Sequence, residues 1–130
     1  MFIDASAFLA ILLKETDGQR FSRAMENAGY RFTSPVAIFE IVAGIMRERA
    51  CSRREAQQAT ERALRIANVE IVPLTREIGS LALEAFEKYG KGRGHKAQLN
   101  MGDCFAYACA KSLGVPLLYK GNDFLQTDLA

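Results

Sequence analysis

Four short apolar runs punctuate this chain: MFID at the N-terminus, YRFTS from Tyr30 to Ser34, VEIVPL from Val69 to Leu74, and VPLLY from Val115 to Tyr119. Each is too short for a helix, and each is followed by a segment with helical punctuation or helical spacing of its apolar residues. Strands that alternate with helices form a parallel sheet covered on both faces. The expected fold is therefore a three-layer α/β/α sandwich with a short, mostly parallel sheet of four to five strands.

The helices announce their own ends. After MFID, the residues Phe8, Leu9, Leu12 and Leu13 recur at helical spacing. Asp17 reads as the N-cap of a helix to about Ala28, stopped by Gly29. Ser34-Pro35 starts the helix VAIFEIVAGIMRERA, with Ser as cap and Pro at the first helical position. Ser52 and Glu55 have the spacing of a capping box for a helix to about Asn68. Thr75 caps another that ends near Tyr89. The stretch KYGKGRGHKAQLNMG, with Gly90, Gly92 and Gly94, reads as irregular. DCFAYACAKSLG then reads as a helix closed by Gly114, and a tail turn follows the last strand.

A length of 130 residues fits one domain spanning 1–130. The net charge of +2 permits a nucleic-acid partner without arguing for one. The longest apolar stretch, AFLAILL, falls far short of the roughly 20 residues of a membrane span. Asp4 interrupts the N-terminus before any secretory signal could form, so a cytoplasmic location is expected. Cys51, Cys104 and Cys109 form no C-x-x-C pair and read as buried, reduced thiols. The single histidine, His95, is poor footing for a triad or an imidazole-rich metal site.

In open parallel sheets, ligands bind beyond the carboxyl ends of the strands. Asp4 follows strand one and Asp123 follows strand four, so both carboxylates belong at that edge. Asp103 opens the helix after the glycine loop, and Glu40 lies between Phe39 and Ile41 in an otherwise apolar run. The neighbours of Glu40 at three and four positions are Val36, Ala37, Ala43 and Gly44. That small stripe suits close packing, where a carboxylate is costly without a cation.

Taken singly, these acids have ordinary readings. Asp4 suits an N-cap, Asp103 a favourable first-turn acid, and Asp123 turn chemistry. Taken together, four carboxylates at one edge repel unless cations sit among them. Hard divalent ions with oxygen ligands, Mg²⁺ or Mn²⁺, meet that need and accept phosphate oxygens. The chemistry suggested is phosphodiester hydrolysis.

FIDAS at the start, a helical Glu40, and MGDCFAYACAKSLGVPLLYKGNDF near the end resemble the PIN-domain ribonucleases. More narrowly, the chain is similar to the VapC toxins of bacterial toxin–antitoxin pairs. The likeness spans essentially the whole chain. It implies a Mg²⁺- or Mn²⁺-dependent endoribonuclease that cleaves structured RNA, usually tRNA or ribosomal RNA, and arrests translation. A VapB-type antitoxin would neutralise it, and a homodimer or a larger assembly with the antitoxin is expected.

By the same resemblance, Asp4, Glu40 and Asp103 match the three core acids and Asp123 the more variable fourth. All four are expected as metal-site and catalytic residues. Glu40 would orient or deprotonate the attacking water. Ser6 and Asn122 are supporting residues; Ser6 would hydrogen-bond a carboxylate or phosphate oxygen, or cap a helix. Lys91, Arg93, His95 and Lys96, with Lys88, form a basic loop that could bind RNA phosphates. Arg47, Arg49, Arg53 and Arg54 make a second basic group, and Ile38, Ile41, Val42 and Ile45 an apolar stripe suited to core or partner.

Haloacid-dehalogenase-type phosphatases also place an Asp after strand one, but they resemble D-x-D, and here Ser6 takes the second position. A receiver domain would need its acids and lysine in another order. The non-enzyme alternative is a catalytically silent module whose acids hold a metal or a basic antitoxin side chain.

Overall fold

The computed structural model describes residues 1–130. Four two-residue strands, β1 (Phe2–Ile3), β2 (Phe32–Thr33), β3 (Glu70–Ile71) and β4 (Leu117–Leu118), form one sheet in the order β3-β2-β1-β4. All neighbours are parallel, in registers such as Phe2 against Phe32 and Leu117. Six helices complete the chain: α1 (Ala5–Leu12), α2 (Gly18–Glu26), α3 (Pro35–Glu48), α4 (Arg53–Ile66), α5 (Arg76–Tyr89) and α6 (Met101–Leu113). None is long and apolar enough to cross a membrane.

Because successive strand side chains point to opposite faces, the two residues of β1 seed two separate cores. Phe2 is buried with residues of α5 and α6, Leu117 and Phe124. Ile3 is buried with residues of α1, α2, α3 and α4. The sheet is the septum between them.

The strands are shorter than the apolar runs. No fifth strand forms; a lone parallel bridge joins Gly90 to Leu99. The flanking residues have other work, since Asp4 and Ser34 already cap helices one residue after their strands. β3 lies at the sheet edge with both residues exposed, while Val72 just beyond it is buried.

Most caps form where their residues stand. Ser34 accepts from the Ala37 amide at 3.2 Å, Thr75 from Ile78, and Ser52 and Glu55 make their capping box. Gly114 ends α6 at φ 65°, a left-handed angle that costs glycine nothing. Asp17 departs from expectation: it precedes α2 but makes no side-chain cap bond, because its carboxylate is taken by Lys120. α6 begins at Met101, two residues earlier than its pattern suggests, since Asn100 supplies the cap.

Arg31 contributes a tie that sequence periodicity does not show. Its guanidinium donates to the Met25 and Glu26 carbonyls near the end of α2 and, at 2.7 Å, to Ala67 O after α4. These carbonyls lie at helix C-terminal ends, where a cation suits the negative end of a helix. Of the cysteines, Cys104 and Cys109 are buried and Cys51 is only half-buried; all are free.

Candidate active site

Asp4 leaves β1 at the carboxyl edge, its amide bonded to Leu118 O at 2.9 Å. It is 6% exposed and caps α1: Oδ2 accepts from the Ser6 amide at 3.0 Å and from Ser6 Oγ at 2.5 Å. Asp103 is 8% exposed and sits in the first turn of α6. Its Oδ2 accepts from the Asn100 amide at 3.0 Å while Asn100 Oδ1 accepts from the Asp103 amide at 2.9 Å, a capping box with Asn in place of Ser. The capping reading and the site reading of these acids are thus compatible. The cap fixes the carboxylate where the strand and helix deliver it.

Glu40 comes from the middle of α3 and is half-buried. Its carboxylate lies against the first turn of α6, so close that a Cβ at Gly102 would overlap it. Gly102 is buried and helical, where Ala would serve the helix better by about 1 kcal/mol. The side chain is missing there because Glu40 occupies the space.

Asp123 stands in the irregular segment after β4, exposed and without a side-chain hydrogen bond. Asn122 is exposed too; its carbonyl accepts from the Leu125 amide, and its side chain makes no bond.

The four acids form one electrostatic set. Burial pushes the Glu40 carboxyl up to about 7, with the charges of Asp4 and Asp103 adding to it. Burial likewise raises Asp103 to about 6, assisted by Asp123 and Asp4 and opposed by the Asn100 hydrogen bond. Asp4 is raised chiefly by burial, against the bonds from Ser6, with Asp123 adding a small push. No lysine or arginine pairs with any of the four. The cost expected for Glu40 is met by partial neutralisation at neutral pH, as buried charges without partners do.

A consequence for stability follows from the sign of these shifts. Glu40 and Asp103 ordinarily titrate at 4.5 and 3.8, so both bind their protons more tightly in the folded chain. Their contribution is fully present below those ordinary values and is lost as pH rises through about 6 to 7. The metal-free protein should melt at progressively lower temperature from pH 4.5 to pH 8 in a calorimetric series; a flat or rising profile over that span would contradict it.

No three of these acids converge tightly enough to cage an ion by themselves. One oxygen each of Asp4 and Asp103 is committed to a cap. The remaining carboxylate oxygens of Asp4 and Asp103, with Glu40 and Asp123, are free to bind an ion directly or through water. The arrangement suits an ion that keeps part of its water shell, which is the habit of Mg²⁺. The donors are oxygens only, since burial holds the neighbouring Cys104 thiol up at about 11.

The basic loop presents exposed cations beside two residues packed on aromatic rings. His95 packs edge-on against Tyr89, ring centroids 4.9 Å apart, and its Nδ1 accepts from the Ala97 amide. Arg93 stands 5.8 Å from the Phe86 ring. Lys91 and Lys96 are exposed and make no side-chain bond. A cleft of about 600 Å³ opens between α1 and α3, from Ser6 past Gly44 to Arg47, Arg49 and Lys120. Glu40, Gly44 and Arg47 recur at four and seven residues, so one face of α3 runs from the acids along this cleft.

Two contributors escaped the sequence reading, Gly102 and Lys120. A glycine inside a helix directly before an acid is the signal for the first. Nothing local marks the second.

Residues 1–129 match the PIN domain family model. A VapC ribonuclease of Rhizobium meliloti is 38% identical over 98% of this chain and 98% of its own length. Ribonuclease VapC30 of Mycobacterium tuberculosis is 39% identical over 100% of this chain and 96% of its own. Among solved structures, the sarcin-ricin loop cleaving toxin VapC20 of Mycobacterium tuberculosis superposes with a TM-score of 0.74 at 20% identity, covering 95% of this chain and 92% of that one. A toxin–antitoxin complex from Klebsiella pneumoniae gives 0.71 at 16%, covering 98% and 92%. The chain belongs to the PIN-domain family, and its curated relatives put it among the VapC ribonucleases of that family.

Proposed function

We propose that this chain is a Mg²⁺- or Mn²⁺-dependent endoribonuclease, a VapC-type toxin that hydrolyses phosphodiester bonds in structured RNA such as tRNA or ribosomal RNA. It acts in the cytoplasm as a single PIN domain, 1–130, and a VapB-type antitoxin holds it inactive. The observation that carries the reading is the coupled set of Asp4, Glu40, Asp103 and Asp123 at the carboxyl edge, all oxygen donors with no protein cation among them. The names of the curated relatives support it.

Asp4 and Asp103, held rigid by their caps, are the principal ligands, directly or through water. When bound, the ion would neutralise charge that builds on the scissile phosphate. Glu40, near neutrality in the metal-free chain, orients the attacking water and accepts its proton. Asp123, exposed and unpartnered, completes the set, near enough for its charge to act on Asp4 and Asp103. Ser6 holds Asp4 through its hydroxyl.

An acidic site repels RNA, so affinity comes from cations around it. Arg47 and Arg49 line the α1–α3 cleft, and Lys91 and Lys96 flank the entrance to α6. For protein partners, α3 offers Phe39, 74% exposed, over a groove lined by Ile38, Val42 and Met46. Ile41 and Ile45 of the same stripe are core. A homodimer, assembling further with the antitoxin, would cover exposed apolar residues such as Leu83 and Met101.

Purified protein freed of antitoxin is expected to cleave total RNA with added Mg²⁺ or Mn²⁺ and to lose that activity in excess EDTA. Cleavage that persists in EDTA would sink the metal-dependent reading. Absence of cleavage with either ion would favour the silent binding module. Sequencing the new RNA ends names the substrate.

A further inference from the structure

All three ion pairs of the protein tie down one segment. Lys120 Nζ stands 2.8 Å from Glu15 Oε1 and 3.1 Å from Asp17 Oδ1, at the elbow between α1 and α2. Lys111 Nζ stands 2.8 Å from Asp128 Oδ2, and Asp128 Oδ1 accepts from the Tyr107 hydroxyl at 2.6 Å. Between these clasps the chain has no regular structure, yet Phe124 is 1% exposed and the Thr127 hydroxyl donates to its carbonyl at 2.8 Å. The segment is a strap, and Asp123 is the exposed acid on it.

Ion pairs this open to solvent add little to stability. Their concentration on one irregular segment points to placement. Lys120 also reaches the site through its backbone. Its amide donates to Ser6 Oγ at 3.0 Å, and that hydroxyl donates to Asp4 Oδ2. A serine hydroxyl has one proton; with the Lys120 amide on its lone pair, the proton turns toward Asp4.

We propose that Lys120 is a positioning residue for the acidic site: its grip on Glu15 and Asp17 keeps its amide on Ser6, which orients Asp4, and sets the turn that presents Asp123. The proposal rests on the reading of the four acids as a divalent-metal site. Charge alone has the opposite sign. A lysine repels a divalent cation, so its removal by Coulomb's law tightens metal binding, whereas loss of a positioning residue weakens it.

The test is calorimetric titration of Mn²⁺ into antitoxin-free wild type, Lys120→Met, Lys120→Arg, and the pair Glu15→Gln with Asp17→Asn. Lys120→Met should bind Mn²⁺ about tenfold more weakly, the range for losing a residue that orients metal ligands. Lys120→Arg should stay close to wild type, and the double variant should fall with Lys120→Met. Hydrogen exchange at the Lys120 amide should quicken in the two weakened proteins. Cleavage at saturating Mn²⁺ should recover most of the wild-type rate.

Equal or tighter Mn²⁺ binding by folded Lys120→Met overturns the proposal. Should Lys120→Met not fold, hydrogen exchange at the Lys120 amide in the double variant decides, since losing two acids weakens cation binding by charge alone but does not free that amide; unchanged exchange there overturns the proposal too. Failure of wild type to bind Mn²⁺ is a different result, because it removes the metal-site reading itself.

Discussion

Glu40→Gln should lower RNA cleavage by about 10²- to 10⁴-fold, the range for losing a positioned general base, and at the same time raise the melting temperature at pH 8. The two effects share one cause. Glu40 is forced against the first turn of α6 and pushed up to about 7 by burial and by Asp4 and Asp103, so its ionised form strains the metal-free fold. Glutamine keeps the shape and removes the charge. Well below pH 4.5, by about a unit or more, the variant should melt with wild type, because Glu40 is neutral there in both the folded and unfolded chain. Single-turnover cleavage and melting curves at the two pH values check it. A variant that keeps its activity would remove Glu40 from the mechanism, and one that is not stabilised at pH 8 would contradict the assigned strain.

Among the aspartates, Asp4→Asn and Asp103→Asn should cost more activity than Asp123→Asn in the same assay. The first two are buried and locked by caps, while Asp123 is exposed and free to be replaced by water. Equal losses for all three would show that the strap holds its acid as firmly as the caps hold theirs.

Gly102→Ala should cost about 10²-fold in cleavage, the scale of a displacement of about 1 Å at a catalytic group, with the fold retained. The added methyl meets only the far end of the Glu40 side chain, which can swing away at little cost, and the helix gains propensity. A folded protein with a misplaced base is the expected outcome. Circular dichroism should match wild type, melting should be at or above wild type, and Mn²⁺ binding should fall less than turnover. Full activity would mean that Glu40 has room the structure does not show.

Much of this was written locally. Ser34-Pro35, Ser52 with Glu55, Thr75 and Gly114 start or stop helices by bonds within a few residues, and they do so in the fold. Asp4 and Asp103 were legible as site candidates because a parallel sheet carries its chemistry at one edge. Asp17 stands at the expected N-cap position but makes no side-chain cap bond for an equally physical reason: an ammonium 103 residues away is a stronger partner than a backbone amide. His95 and Arg93 read as members of a basic glycine loop; in the fold His95 packs on the Tyr89 ring, while Arg93 stays exposed with its guanidinium 5.8 Å from the Phe86 ring.

The order of strands, caps and acids along the chain was enough to specify a parallel α/β fold with carboxylates at one edge, because those features depend on short-range hydrogen bonding and on the alternation of elements. The close packing of Glu40 on Gly102 and the grip of Lys120 on Glu15, Asp17 and Ser6 depend on which helix faces touch. They join residues 62 apart in the first case, 102 less 40, and up to 114 apart in the second. No local propensity encodes such a distance. Only the closing of the two cores around β1 brings those residues within reach of one another.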